Sequence, residues 1–170
     1  SELYTLEPEF ENLVNEDFTN EAIFEMGYTL ADDPGTNNTI GLNNLFVGRR
    51  EIIPSNEEIL ALASDESGDR FSSISFDPDN LDGADNGWSV AKYGTADQDN
   101  NNVLVSRLGE MYLIRAEARA QQGNVSGANS AQEDINVLRA RANATLLGSV
   151  SQSQMLIVIE NERKYELAFE

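Results

Sequence analysis

The repeated apolar spacing in the last seventy residues restricts the fold more than any other feature of this sequence. Small and medium apolar residues recur there at alternating intervals of three and four, the spacing of a single helix face: Ala128, Ala131, Ile135, Leu138 and Ala142. A second helical pattern runs from 103 to 122, and Gly123-Asn124 is a typical C-terminal stop. The sequence therefore predicts two antiparallel helices that form a hairpin of TPR-like length.

A further long helix is predicted directly after this hairpin. Ser151 and Gln154 have the spacing of a capping box, in which side chains satisfy the free backbone groups of the first turn. The apolar pattern that follows continues to Phe169. Residues 155–159 are five consecutive apolar residues, so we expect one face of this helix to need a partner beyond the hairpin.

Residues 1–102 have a different character, because loop-rich stretches at 32–48 and 77–102 surround short elements. These elements are helix starts at Glu7–Phe10 and Ser55, the latter helix ending near Gly68, and strands at 22–29 and 88–93. The predicted fold class is mainly α: a TPR-like helical hairpin plus a further long helix, with a loop-rich segment carrying minor β structure. We divide the chain into a loop-rich acidic segment, 1–102, and a helical segment, 103–170.

Composition excludes several classes of chemistry. The chain has no cysteine and no histidine, which removes disulfides, thiolate and imidazole metal ligands, and Ser-His-Asp catalysis. Thirty acidic residues against eleven basic ones give a net charge of −19, which repels the phosphates of nucleic acids. No apolar run is long enough for a transmembrane segment. The acidity lies in the first hundred residues, since residues 101–170 carry eight acids and seven bases.

The acidic turn that begins at Asp77 is similar to a calcium-binding loop in composition only. An EF-hand loop needs an oxygen ligand at its fifth position and a glycine at its sixth. Counted from Asp77, those positions hold Leu81 and Asp82. We therefore expect no cofactor and no metal, with an irregular calcium site at Asp77, Asp79 and Asp82 as the alternative.

Four glutamates at the end of the chain could supply the paired carboxylates of a glycosidase: Glu160, Glu162, Glu166 and Glu170. Glu162 and Glu166 lie one helical turn apart, beside Arg163 and apolar residues, which is typical of structural ion pairs. We therefore expect no catalytic residues. The charged helix residues should instead pair between helices: Arg107, Glu110, Arg115, Glu117, Arg139, Arg141, Glu162 and Arg163.

Trp88 is the only tryptophan and lies in a turn-rich polar stretch. It is either a core anchor or a platform for a sugar, because a flat apolar ring suits the C–H face of a pyranose. The ligand contacts that we predict are Trp88 and Tyr93, with Asp85 and Asn86 in a turn whose side chains can hydrogen-bond hydroxyl groups.

Three helical motifs together resemble the carboxy-terminal part of the SusD/RagB family. They are RLGEMYLIRAEA at 107–118, DINVLRARA at 134–142 and ERKYELAFE at 162–170. Shorter family motifs are matched upstream by EAIFE at 21–25, by Asp69-Arg70 and by Lys92-Tyr93. Asn143 stands where glycine is commonest in the family, and asparagine also tolerates a left-handed backbone.

The resemblance implies a surface-exposed lipoprotein of the outer membrane that binds an oligosaccharide or another nutrient without catalysis. Its partner would be a SusC-like TonB-dependent transporter. Family members carry a signal peptide and a lipidated cysteine and are several hundred residues long, so we expect this chain to be a fragment of a larger SusD-like domain. The alternatives are a helical protein–protein interaction scaffold without sugar binding and, third, a carboxylate glycosidase.

Overall fold

The structure is a computed structural model that describes residues 3–27, 42, 44–93 and 102–170. Part of the loop predicted at 32–48, and the last two residues of the strand predicted at 22–29, lie outside these described residues.

Three helices form the main body of the fold: α3 (Leu108–Gln121), α4 (Ala131–Arg141) and α5 (Gln152–Glu166). Their shared core is buried to 2% exposure or less: Leu113, Ala116, Ala120, Ala131, Ile135, Leu138, Met155 and Ile159. The predicted fold class, a helical hairpin plus a further long helix with minor β structure, is confirmed.

Side-chain caps fix where two of these helices begin. The Ser151 hydroxyl accepts a hydrogen bond from the Gln154 backbone amide, and the Gln154 side-chain oxygen accepts one from the Ser151 backbone amide, so the predicted capping box is present. Ser130 caps α4, which leaves Ala128 exposed in the preceding turn instead of on the helix. The last helix ends at Glu166, earlier than predicted, and Phe169 beyond it has a positive φ of 65°.

The prediction of a helix that begins at residue 103 is wrong for its first five residues. Val103–Arg107 is a strand, β4, and α3 begins only at Leu108. β4 pairs antiparallel with β1 (Ala22–Met26), with Ala22 opposite Arg107 and Met26 opposite Val103. Because β1 is so distant in sequence, the local apolar spacing does not reveal that residues 103–107 pair with it. The two β-branched valines in this stretch do favour an extended backbone.

The first part of the chain consists of short elements around this body. They are α1 (Asn12–Asn15), a π-helical turn (Asn44–Gly48), α2 (Asn56–Leu62), two 3₁₀ turns (Gly68–Ser73 and Pro78–Asn80), β2 (Ile74–Phe76) and β3 (Trp88–Val90). Residues 44–48 therefore form a helical turn and not the predicted loop. α1 begins later than predicted, and α2 ends before Gly68, but Ser55 does cap α2 through the Glu58 amide at 3.1 Å.

A buried ion cluster joins the short elements to the helices. Its members are at most 9% exposed: Glu21, Arg70, Arg107, Arg139, Arg141, Glu162 and Glu166. The Arg70 guanidinium donates to Glu162 and Glu166 at 2.7 Å each, and Arg107 donates to Glu21 at 2.8 Å. Gly109 belongs to this arrangement, because a Cβ there would lie 2.3 Å from the Arg107 side chain.

Candidate functional site

Three aromatic side chains form an exposed surface that we call the aromatic patch: Phe71, Phe76 and Trp88. The ring centroids of Phe71 and Trp88 are 5.5 Å apart, and those of Phe76 and Trp88 are 5.3 Å apart. Phe76 is 50% exposed and Phe71 37%, whereas Trp88 is half-buried between them. A contiguous apolar surface that stays exposed to solvent in a folded protein is typical of a binding site.

Secondary structure accounts for the placement of each ring. β2 pairs antiparallel with β3, and Phe76 lies directly opposite Trp88, so both side chains project from the same face. The first 3₁₀ turn, which immediately precedes β2, carries Phe71. Trp88 also packs on the cluster formed by Leu62, Ile74 and Ala168, so it is both an anchor in the core and part of a surface.

Arg50 fixes the turn that leads into Trp88. Its guanidinium donates to both carboxylate oxygens of Asp85 at 2.6 Å and to the Trp88 carbonyl at 2.9 Å, and it also contacts the Ser89 hydroxyl. The hydrogen bonds that Asp85 accepts from Arg50, with a further one from the Gly87 amide, lower the pKa of Asp85 to about 2. Asp85 therefore stays ionised and bound to Arg50 over the physiological pH range.

Asn86 completes this turn with two hydrogen bonds. Its side-chain amide donates to the Pro54 carbonyl at 2.8 Å, and its oxygen accepts from the Trp88 amide at 3.1 Å. Gly87 has a φ of 78°, and a Cβ there would lie 2.6 Å from the Phe76 ring. Asp85 and Asn86, both predicted as ligand contacts, thus have their polar groups engaged in holding the turn, and direct contact with a ligand stays a prediction.

Tyr93, the fourth predicted contact, lies in a different cluster from Trp88. It is 7% exposed, its ring stacks on Phe46 with centroids 5.2 Å apart, and its hydroxyl donates to the Phe169 carbonyl at 2.6 Å. Burial raises the pKa of Tyr93 to about 12. Of the four predicted residues, Trp88 is the one that shares a surface with other exposed rings, while a ligand contact by Tyr93 stays a prediction.

An open cleft of about 430 Å³ lies beside Phe71. Its lining combines apolar and polar side chains: Leu62, Ala63, Ser64, Asp65, Gly68, Phe71, Asn143 and Thr145. Asn143 has a positive φ of 51° and donates to the Asp69 carboxylate at the rim. Sequence reasoning missed Phe71, Phe76 and this cleft, since isolated phenylalanines in a turn-rich stretch have no distinctive spacing.

The glutamates predicted to be structural are buried and bound by arginines. Glu162 accepts hydrogen bonds from Arg70 and Arg139, and Glu166 from Arg70, Arg107 and Arg141. Burial raises the pKa of Glu166, but the three arginine charges outweigh it and hold the pKa well below its usual range. Neither carboxylate reaches solvent. The predicted pairing between helices is also present at Arg115 with Asp134 and at Arg163 with Glu117.

The acidic turn at Asp77 has an internal role. Its carboxylate accepts from the Asp79 amide at 3.0 Å and from the Asn80 side chain at 2.9 Å. In the part of the chain that the structure describes, no three acidic side chains converge on a metal position. Within the same ranges, none of the helices combines the length and the apolar character that a membrane-spanning segment needs.

Comparison by sequence matches the helical part of the chain to a known family. The family model SusD_RagB, described as the SusD family, matches residues 84–170, which is just over half of the chain. No curated protein matches at a significant level.

Solved structures are similar over nearly the whole chain. The SusD homolog from Bacteroides thetaiotaomicron is 19% identical with a TM-score of 0.77, covering 98% of this chain and 43% of that one. A SusD superfamily protein from Parabacteroides distasonis is 18% identical with a TM-score of 0.72, covering 99% and 41%. Surface glycan-binding protein A from Bacteroides thetaiotaomicron, in complex with laminarihexaose, is 20% identical with a TM-score of 0.67, covering 98% and 44%. The chain spans about two fifths of the length of these structures.

Proposed function

This chain belongs to the SusD family, and we propose that it forms a glycan-binding part of a surface nutrient-uptake protein, with the aromatic patch as the surface that contacts the sugar. The observation that carries the proposal is the patch itself. Phe76 is 50% exposed beside Trp88 although both are large apolar side chains, and the Arg50 and Asn86 hydrogen bonds hold the turn behind them.

The chemistry of the patch suits a pyranose ring. The C–H groups on one face of such a ring pack against an aromatic face, while its hydroxyl groups need donors and acceptors nearby. The hydroxyl groups of Ser64 and Thr145 supply such groups in the cleft beside Phe71. Because the turn is already ordered, binding loses little conformational entropy at these rings. A shallow surface of this kind favours weak affinity, of the order of millimolar to micromolar.

A structure of similar fold supports the choice of ligand class. Surface glycan-binding protein A from Bacteroides thetaiotaomicron was solved in complex with laminarihexaose. By analogy with this complex, we propose that this chain binds an oligosaccharide at the cell surface, as part of an outer-membrane lipoprotein. The bound glycan then passes to a SusC-like TonB-dependent transporter.

The proposed role is non-catalytic. A glycosidase needs two carboxyl groups about 5–10 Å apart that both face the glycosidic bond. Glu162 and Glu166 are fully buried and bound to arginines, so neither is free to protonate or attack a sugar.

A helical interaction scaffold without sugar binding is the second candidate, and one observation favours it. Ile157 on α5 is 60% exposed, with Leu156 and Val158 half-buried beside it. This is the apolar run for which the sequence predicts a partner. Such a scaffold would bind protein through this face and would not respond to glycans.

The test is a titration with a glycan panel that includes laminarihexaose, followed through the emission of Trp88. We expect saturable binding that Phe76→Ala weakens at least about fivefold, since stacking of one ring contributes about 1 kcal/mol. Phe24→Ala is the matched control, because Phe24 is similarly exposed, at 56%, but lies on β1. If no glycan binds, or if both variants weaken binding equally, the proposal is wrong and the scaffold is favoured.

A further inference from the structure

The bases of the first hundred residues are all engaged by carboxylates. There are four in residues 1–102, and each lies in the described part of the chain. Their partners are Glu51 for Arg49, Asp85 for Arg50, Glu162 and Glu166 for Arg70, and Glu170 for Lys92. The Arg70 side chain is fully buried and that of Lys92 is 5% exposed. Arg49 alone is well exposed, at 46%, and its partner Glu51 lies beside it at the surface, so the segment that carries the aromatic patch offers a ligand little uncompensated positive charge.

The helical segment adds no available cation at the cleft. Arg139 reaches this region, because its guanidinium donates to the Thr145 carbonyl at 3.1 Å. The same guanidinium donates to Glu162 at 2.8 Å, and the Arg139 side chain is only 5% exposed. Its charge is thus neutralised within the protein and shielded from a ligand in the cleft.

Exposed carboxylates, in contrast, occur in the cleft beside Phe71 and in the loop that follows Phe76. Asp65 lines the cleft together with Phe71, and Asp69 lies two residues before that ring. The loop between β2 and β3 carries Asp77 directly after Phe76, and the Asp77 amide donates to the Gly87 carbonyl at 2.9 Å, next to Trp88. Asp79 is exposed one turn further on. A ligand that covers the rings therefore comes close to several negative charges.

We infer that the aromatic patch accepts uncharged oligosaccharides and rejects anionic ones, such as sulfated or uronic acid-rich glycans. The inference rests on the proposed function and adds the charge class of its ligand. An anionic glycan needs a lysine or arginine to compensate its charge, and the exposed charged side chains of the cleft and of the loop after Phe76 are carboxylates. The repulsion acts through water at the rim, so salt screens it over a distance of about 8 Å at physiological ionic strength.

The test uses matched pairs of glycans, each a neutral polysaccharide and its sulfated derivative, for example laminarin and laminarin sulfate. Affinities are measured by titration at about 20 mM and about 300 mM salt. We expect at least one neutral member to bind and its sulfated derivative to bind at least about tenfold more weakly at low salt. The difference in affinity between the neutral and the sulfated glycan should become smaller at high salt.

A charge-reversed variant makes the test specific to this surface. Asp65→Lys with Asp79→Lys places cations in the cleft and in the loop after Phe76, at exposed positions whose carboxylates accept no hydrogen bond from the described residues. We expect this variant to bind the sulfated derivative within about threefold of the neutral form. Glu117→Lys with Glu160→Lys is the matched control, since it changes the net charge equally on α3 and α5 and leaves the cleft unaltered.

Each outcome separates the two proposals. Sulfated glycans that bind wild-type protein as tightly as neutral ones overturn the charge inference and leave the proposed function intact. Equal gains from the patch variant and from the control also overturn it, because net charge alone then explains the effect. If no member of any pair binds, and Phe76→Ala changes nothing, the proposed function fails and this inference fails with it.

Discussion

The buried ion cluster and the aromatic patch place their side chains in opposite environments. In the cluster, charged groups that water would solvate well are buried, and arginines pair with glutamates. In the patch, rings that the core would accommodate well stay half exposed. Each region departs from the usual distribution of polar and apolar residues, but the cluster is closed to ligands whereas the patch is open to them.

The comparison also changes what the sequence motifs mean. Arg107, Arg139 and Glu166 belong to the three motifs by which the chain resembles its family, and all three lie in the ion cluster. Glu21 and Arg70, from the shorter upstream motifs, lie there as well. The most recognisable residues of this chain therefore specify its fold, and the surface proposed to bind sugar consists of residues outside those motifs.

The largest expected effect is the loss of one cluster carboxylate. Glu166→Ala removes one of the carboxylates that Arg70, Arg107 and Arg141 each pair with, which leaves an excess of buried positive charge. We expect the free energy of unfolding to fall by about 3–5 kcal/mol in a urea titration. Glu160→Ala on the same helix is the control, since its side chain is 71% exposed and should change stability by less than about 0.5 kcal/mol. Equal effects in both variants would show that burial of the cluster has no energetic consequence.

Acid should weaken the cluster through the same residue. The pKa of Glu166 is held below its usual 4.5 in the folded state, so the unfolded state binds more protons when the pH falls. The stabilisation is therefore complete above about pH 5 and is lost progressively as the pH drops toward the folded-state pKa. Urea titrations from pH 7 to pH 3 should show that the free energy of unfolding declines in this way. In Glu166→Gln, the free energy of unfolding should depend less steeply on pH. An identical slope in the variant would assign the acid sensitivity to other carboxylates.

A smaller and more local effect is expected at the turn behind the patch. Arg50→Ala removes the hydrogen bonds to Asp85 and to the Trp88 carbonyl. We expect Trp88 emission to shift to longer wavelength and glycan affinity to fall several-fold, because the rings are no longer held in place. Arg50→Lys should restore part of the affinity but not the bidentate geometry. Unchanged emission and affinity in Arg50→Ala would mean that the turn is ordered without Arg50.

The smallest effect distinguishes Tyr93 from Trp88. Tyr93→Phe removes the hydrogen bond to the Phe169 carbonyl, which should cost about 1 kcal/mol of stability. Glycan affinity should not change, because the Tyr93 ring is buried against Phe46. A variant with unchanged stability but reduced affinity would instead support the ligand contact predicted for Tyr93.

Local patterns predicted the helices well and the long-range contacts poorly. The spacing of Ile135 and Leu138 and the Ser151 cap are set within one or two turns, so the sequence is sufficient to locate α4 and α5. Local patterns could not predict β4, because its partner β1 lies more than seventy residues earlier in the chain. The same limit applies to the candidate site: Trp88 was recognisable alone, whereas Phe71 and Phe76 matter only because folding brings them to it.

The long sequence separations within the ion cluster have a kinetic consequence. Glu21 and Arg141 are 120 residues apart, and Arg70 and Glu166 are 96 apart, so these pairs close only when nearly the whole chain has come together. Contacts of this kind are expected to be largely absent from the folding transition state. They therefore act mainly by slowing the escape from the folded state, which prolongs the lifetime of the native chain without making its formation faster.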